Sequence, residues 1–130
     1  NYDLWFGRGR VYYKLNNYDE CINSFHKVVE IKPDDFDGNY YLAVFYMAQG
    51  NELYKEAAKI DYKSQKELDA AIQVAYEPYR KAVPWFEKAH AIDPSNIGAV
   101  EYLKILSFRL RDMDGMMDKY NKYHELYVNL

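Results

Sequence analysis

The side chains best suited to metal binding or nucleophilic catalysis are few in this chain. Its three histidines, His26, His90 and His124, include no pair four residues apart, the spacing by which a helix presents two metal ligands on one face. Cys21 is the only thiol, which excludes an intrachain disulfide. It occupies a small-residue position where helices touch, which is typical of a buried, unreactive thiol. We therefore expect no metal, no other cofactor and no enzyme activity.

Paired acidic residues occur twice and resemble fragments of a calcium-binding loop. Asp34 is followed directly by Asp35, and Asp112 is followed two positions later by Asp114. Such a loop needs further oxygen ligands and a closing glutamate at fixed positions, and these follow neither pair. A glycine-rich phosphate-binding loop would follow a strand, and no segment has a convincing strand pattern. We expect the acidic residues to cap helices.

Composition and charge limit the classes of partner. The 130 residues are 49% hydrophobic and 18% aromatic, with 15 tyrosines, which is enough to build the core of one domain. A formal net charge of −3 argues against nucleic acid as a partner, since nucleic-acid binding needs a concentrated basic face. No apolar run approaches the roughly 20 residues that cross a bilayer. Because Asn1 falls inside the first predicted helix, we expect a fragment of a longer protein, whose compartment, cytoplasmic or periplasmic, stays open.

Capping residues and prolines mark the first helices that would position any site. Asn17 precedes Glu20 by three residues, and an apolar run with helical spacing follows. This combination is a helix start signal. Pro33 ends that helix, and Asp34 or Asp35 caps the next one.

A longer helical hairpin is predicted in the middle of the chain. Helical spacing continues past Gly50, which predicts a long helix. A break at Gly50 is the alternative, because glycine costs about 1 kcal/mol relative to alanine in a helix interior. Ser64 and Glu67 form a capping box that opens a second long helix. Pro78 and Pro84 allow either one bent helix or two shorter ones, and the regular spacing of the inner face favours a bent helix. That inner face consists of Leu68, Ile72, Ala75, Tyr79, Ala82, Phe86 and Ala89.

The first 35 residues carry a recognisable spacing of aromatic, small and proline residues. The positions are Trp5, Arg8, Gly9, Tyr12, Cys21, Phe25 and Pro33. This spacing resembles the tetratricopeptide-repeat pattern W-x2-L-G-x2-Y, A-x3-F and P. The resemblance implies an all-α fold, a right-handed α-solenoid of three helix–turn–helix units with long antiparallel helices in the second. Arg8 stands where a buried leucine is usual, so either that position is exposed or an acid of an upstream repeat pairs with it.

The pattern recurs at two different intervals. A shift of 34 residues carries Tyr12 onto Tyr46, in the first helix of a second repeat. A shift of 61 residues carries Phe25 onto Phe86, in the second helix of that repeat. The difference predicts an insertion of 27 residues between the two helices, as in a bacterial subgroup that the segment 81–89 also resembles. We expect a single domain, 1–130, with repeats at about 2–35, 36–95 and 96–130.

The resemblance implies a partner-binding groove lined by the first helix of each repeat. Carried over position by position, the groove consists of Phe6, Arg10, Tyr13, Tyr40, Tyr41, Val44, Met47, Tyr102, Ile105, Phe108 and Arg109, with Lys14 and Glu101 beside them. Some members of the family hold the C-terminal carboxylate of a chaperone tail at five of these positions. Those positions are Phe6, Arg10, Tyr41, Gly98 and Tyr102 here, and four of the five lack suitable side chains. A chaperone-tail receptor is therefore not expected.

The expected function is a protein-interaction scaffold that binds a peptide or partner protein in this aromatic groove. Aromatic and arginine side chains dominate binding energy at protein interfaces. Any single tyrosine is more typically packed between helices, whereas the cluster Tyr13, Tyr40, Tyr41 and Tyr102 taken together favours a binding surface. Two alternatives are a structural solenoid segment or self-association module, including a homo-oligomer, and an aromatic platform for a glycan.

Overall fold

The fold consists of helices alone. A computed structural model describes all residues from Asn1 to Leu130. Six helices follow one another: α1 (Tyr2–Lys14), α2 (Tyr18–Ile31), α3 (Phe36–Ala58), α4 (Gln65–Ile92), α5 (Ile97–Arg109) and α6 (Met116–Val128). The most extensive packing joins α1 to α2, α3 to α4 and α5 to α6, and successive pairs meet through α2–α3 and α4–α5. The prediction of an all-α fold of three helix–turn–helix units with a long second hairpin is confirmed.

Side-chain caps start five of the helices. Asn1, Asn17, Asp35, Ser64 and Asn96 each accept a hydrogen bond from a backbone N–H of the first helical turn, at 3.1–3.3 Å. Such a cap stabilises a helix by about 1 kcal/mol relative to alanine. Of the two candidates for the start of α3, the structure therefore selects Asp35.

The capping box that opens α4 differs in one detail from the prediction. The Ser64 hydroxyl accepts from the Glu67 N–H, as expected. The Glu67 carboxylate, however, accepts from the backbone N–H of Lys63 at 3.3 Å and does not return to Ser64. The carboxylate thus satisfies a donor one residue before the cap.

The long hairpin has no break at its glycine or its prolines. The helix α3 continues past Gly50, and α4 continues through Pro78 and Pro84. Gly50 lies against Tyr79 of α4, where an added Cβ would stand 2.7 Å from the ring. The glycine is therefore a point of close approach between the two helices rather than a helix end.

Two clusters of buried side chains form the core. The first joins α2 and α3, and it comprises Cys21, Ile22, Phe25, Val28, Val29, Leu42 and Phe45. The second joins α3, α4, α5 and α6, and it comprises Ala43, Tyr79, Ala82, Val83, Phe86, Val100, Leu103, Leu106, Leu110 and Tyr123. Val44, Tyr46 and Trp85 pack against both clusters. The core is therefore continuous along the stack of hairpins.

Arg8 is exposed, and its acidic partner lies in its own hairpin. The guanidinium stands 3.2 Å from the Glu20 carboxylate of α2 and just over 5 Å from the rings of Trp5 and Tyr12. An exposed ion pair of this kind contributes about 0–1 kcal/mol. Arg8 thus needs no acid from an upstream repeat.

None of the six helices combines the length and the hydropathy that a transmembrane span needs.

Candidate functional site

One cavity lies between α1 and α3 and is called here the α1–α3 cavity. Its volume is about 600 Å³, which lies within the roughly 300–1,000 Å³ of small-ligand sites. The lining residues are Phe6, Arg10, Tyr13, Lys14, Asp37, Tyr41, Val44 and Phe45. Helical spacing explains the set, because residues three and four apart share one face of α1 and one face of α3.

Aromatic rings form a connected wall of the α1–α3 cavity. The Phe6 ring lies 4.9 Å from Phe25 of α2 and 5.9 Å from Tyr41 of α3, the latter edge-on at 87°. The Tyr13 ring lies 4.9 Å from Phe45, and Tyr41 stacks on Phe45 at 6.2 Å. Offset and edge-on pairs at such distances are favourable arrangements for aromatic rings. The wall is therefore held in place by core contacts before anything binds.

The α1–α3 cavity also offers exposed rings and unpaired charges. Tyr13 and Tyr41 are each 40% exposed although both touch the buried Phe45. Arg10 and Lys14 stand one helical turn apart, and neither has a carboxylate within ion-pair distance. The site thus combines apolar ring faces with two cations that are free to meet an acidic or carbonyl group.

A second cavity lies where α4, α5 and α6 meet, and we call it the basic cavity. Its volume is about 400 Å³, and its lining residues are Tyr76, Lys104, Ile105, Phe108, Arg109, Arg111 and Tyr120. Three of the predicted groove residues, Ile105, Phe108 and Arg109, lie here. Five others, Phe6, Arg10, Tyr13, Tyr41 and Val44, line the α1–α3 cavity. Eight of the eleven predicted groove residues are thus divided between two separate cavities.

The remaining predicted groove residues pack between helices. Tyr40 and Tyr102 are half-buried, and their rings lie 5.7 Å and 5.2 Å from Phe86 in the core. Burial raises the pKa of the Tyr40 hydroxyl, and the neighbouring Tyr102 adds to the shift. Met47 packs against the same core cluster. These three side chains join α3 to α4 and α5.

Several lining residues are not among the predicted groove residues. Asp37 and Phe45 share the face of α3 that carries Tyr41, so helical spacing from Tyr41 is the signal that would have found them. Tyr76 and Tyr120 come from α4 and α6. No spacing in the sequence connects them to α5, because their meeting depends on how the hairpins stack.

The chemically reactive residue types lie apart from both cavities or are engaged otherwise. Cys21 is fully buried, and burial raises the pKa of its thiol to about 12, so it stays protonated. The His26 Nε2 lies 2.6 Å from the Tyr46 hydroxyl, and burial lowers the pKa of its ring. His124 is exposed and stacks on Tyr120. No group of three His, Cys, Asp or Glu side chains is placed to hold a metal ion.

Comparison with known proteins identifies the first hairpin. A family model described as tetratricopeptide repeat matches residues 2–35, which span α1, α2 and the turn between them. The first hairpin is a tetratricopeptide repeat. The repeat explains the small Gly9 and Cys21 at the α1–α2 contact, since the pattern places small residues where its helices touch.

Two solved structures with similarity over nearly the whole chain are forms of MamA. One is MamA 41-end from Desulfovibrio magneticus RS-1, with 20% identity over 99% of this chain and 77% of that chain, and a TM-score of 0.37. The other is the MamA RS-1 ArsTM double mutant, with 19% identity over 99% of this chain and 76% of that chain, and a TM-score of 0.37. No curated protein matches the chain.

Tetratricopeptide repeats form a protein-interaction fold that is generally non-catalytic. In these general terms, this chain is a protein-interaction scaffold.

Proposed function

We propose that the chain binds an extended segment of a partner protein in the α1–α3 cavity. One observation carries the proposal: a wall of mutually packed aromatic rings lies beside two cations that have no carboxylate partner. Partly exposed tyrosines and arginine are the side chains that contribute most binding energy per residue at protein interfaces. The wall is already ordered by Phe25 and Phe45, so binding would lose little side-chain entropy.

The chemistry of the cavity favours a peptide with both apolar and acidic or carbonyl groups. Tyr13 and Tyr41 offer ring faces and hydroxyls, while Arg10 and Lys14 offer donors on the neighbouring turn of α1. Asp37, on the α3 side, adds a single acceptor. A purely apolar ligand would offer no negative or carbonyl group to the two cations, and this lack of electrostatic complementarity is unfavourable for specific binding.

The test starts with peptides selected by display against the whole chain. Their affinity is then measured by calorimetry for Tyr41→Ala, for Arg10→Ala and for the matched control Tyr54→Ala. Tyr54 is a suitable control because it is 38% exposed, close to the 40% of Tyr41, and lies outside the α1–α3 cavity. We expect each cavity variant to weaken binding by about 1–2 kcal/mol or more and the control to have little effect.

The same titration separates the competing functions. Unchanged affinity in both cavity variants would remove the α1–α3 cavity from the binding site. Binding of oligosaccharides together with failure to select any peptide would replace the peptide-binding proposal with the aromatic glycan platform. Circular dichroism of each variant checks that helicity is retained.

A self-association or solenoid-extending role is a second candidate, favoured by the outer face of α1. Leu4, Val11 and Leu15 follow at helical spacing and are 72%, 57% and 68% exposed. An apolar helix stripe of this kind is typical of a surface that packs on another helix. Light scattering at increasing protein concentration tests self-association. Growth in mass that Val11→Glu abolishes would support it, and a strict monomer would exclude it.

A further inference from the structure

The basic cavity between α4, α5 and α6 contains three cations and no acidic lining residue. Lys104, Arg109 and Arg111 belong to the lining, together with aromatic and aliphatic side chains. The whole chain, by contrast, carries a formal net charge of −3. The positive charge at this place is therefore a local feature and does not follow from the average composition.

None of the three cations has a carboxylate within ion-pair distance. The ion pairs of the structure involve other residues, although Asp112 and Asp114 follow Arg111 closely along the chain. The Lys104 ammonium stands instead 4.4 Å from the centre of the Tyr127 ring. The cations of this cavity are thus held by π faces and neutral acceptors, which leaves their charge uncompensated.

Neutral contacts fix the two arginines. The Arg109 guanidinium donates to the Tyr79 hydroxyl at 2.7 Å and lies 5.1 Å from the centre of that ring. The Arg111 guanidinium donates to the Phe108 carbonyl at 3.0 Å and lies 4.4 Å from the centre of the Phe108 ring. Each guanidinium has five N–H donors, so several donors of both side chains stay free for a ligand.

Apolar groups complete the cavity. Phe108 is 45% exposed and Ile105 is 44% exposed, and the Phe108 ring lies 5.0 Å from Tyr120 of α6. A ligand that fits this lining presents carboxylates to the cations and an aromatic or aliphatic side chain to the rings. The volume of about 400 Å³ suits a few side chains rather than a long polymer.

We propose that the basic cavity is a second binding site, and that its ligand is an acidic segment of a partner protein in which carboxylate residues flank an apolar one. The proposal extends the scaffold function proposed above to a separate place on the molecule. The site shares no residue with the five positions at which the family holds a chaperone tail. An acidic peptide fits better than a single-stranded nucleic acid, because strand binding needs a positive groove that follows the backbone over several nucleotides.

The test measures fluorescence anisotropy of a labelled peptide with alternating glutamate and phenylalanine, at low and at high salt. The matched peptide carries glutamine in place of glutamate. We expect the chain to bind the glutamate peptide, to bind the glutamine peptide much more weakly, and to lose affinity as salt rises. The double variant Lys104→Gln, Arg111→Gln should lower affinity for the glutamate peptide about tenfold.

Matched variants locate the binding. Lys55→Gln, Lys66→Gln removes the same charge from exposed lysines outside the cavity and should leave affinity close to that of the unmodified chain. Arg10→Gln reports on binding in the α1–α3 cavity, whose proposed ligand is also partly acidic, and in this background the double variant should still lower the remaining affinity about tenfold. Comparing the Arg10 variant with the double variant shows which of the two cavities binds the glutamate peptide. The proposed function is tested separately with Tyr41→Ala, so one proposal can fail while the other holds.

Three outcomes of the peptide measurements would overturn the proposal. They are the absence of measurable binding of the glutamate peptide, equal binding of the glutamate and glutamine peptides, and loss of binding with Arg10→Gln but not with the double variant. Tighter binding of a single-stranded oligothymidine than of the glutamate peptide, lost in the same double variant, would overturn it in favour of nucleic acid.

Discussion

Two glycines let helices approach aromatic rings more closely than any other residue would allow. A Cβ at Gly9 of α1 would overlap the ring of Phe25, which is fully buried in α2. A Cβ at Gly50 of α3 would stand 2.7 Å from the ring of Tyr79. In both places the ring fills the space that a side chain would occupy. The close contact therefore depends on the glycine.

Gly9→Ala should destabilise the protein, and Gly7→Ala on the same helix should not. The added methyl group at Gly9 meets the Phe25 ring, and overpacking of a tight core costs about 1–3 kcal/mol. Gly7 has nothing within 4 Å of its added Cβ, so alanine there should stabilise α1 by up to about 1 kcal/mol. Urea denaturation of the two variants measures the difference. Equal stability changes would contradict the close contact.

The stability of the protein should depend on the protonation of His26. Burial, with a smaller contribution from the Lys81 charge, lowers the pKa of His26 below its ordinary value of 6.5. Between the lowered pKa and 6.5, the unfolded chain binds more protons than the folded one. The free energy of unfolding should therefore fall as pH drops below about 6.5. It should be insensitive to His26 above about pH 7.5.

Denaturation at several pH values tests the role of His26. His26→Gln should flatten the decline of the free energy of unfolding between neutral and mildly acidic pH. The control is His124→Gln, because His124 is exposed. The same slope in His26→Gln and the unmodified chain would remove His26 as the origin of the pH dependence.

At the scale of the helices, local sequence signals predicted where a helix starts and ends better than they predicted whether it is interrupted. Asn17, Asp35 and Ser64 are side-chain caps that bond within their own first turn, so the local sequence is enough to find them. Gly50 left two alternatives open, because its cost is local but the contact that favours a continuous α3 comes from Tyr79 on another helix. Packing between helices therefore decides whether α3 continues past Gly50, and no local sequence pattern contains that information.

Pro84→Ala should stabilise α4, and Pro78→Ala should do so less. Pro84 is exposed, and alanine would restore a backbone donor for the carbonyl of Arg80 one turn earlier. Proline is about 3 kcal/mol less favourable than alanine inside a helix, so we expect a gain of about 1–3 kcal/mol. Pro78 is buried, so its replacement also removes packing. Thermal denaturation measures both, and a loss of stability in Pro84→Ala would indicate that the core requires the proline geometry.

At the scale of the whole molecule, stacking of hairpins distributes the candidate binding residues. Spacing within α1 and α3 placed Phe6, Arg10 and Tyr41 on common faces, so sequence reasoning could gather them. The family pattern implies one continuous groove, so sequence reasoning placed Ile105 and Phe108 in the same groove as these residues, whereas the structure places them in a different cavity. The basic cavity depends on α4 and α6 reaching the end of α5, and this arrangement is a property of the assembled chain.

The central claim is that the α1–α3 cavity holds the partner segment. Nuclear magnetic resonance of the isotope-labelled chain, titrated with a display-selected peptide, tests it without any substitution. The account predicts that the largest amide shifts fall on α1 and α3 around Arg10, Tyr13 and Tyr41. Shifts concentrated on the outer face of α1, at Leu4 and Val11, in the basic cavity, or elsewhere outside the α1–α3 cavity would contradict it.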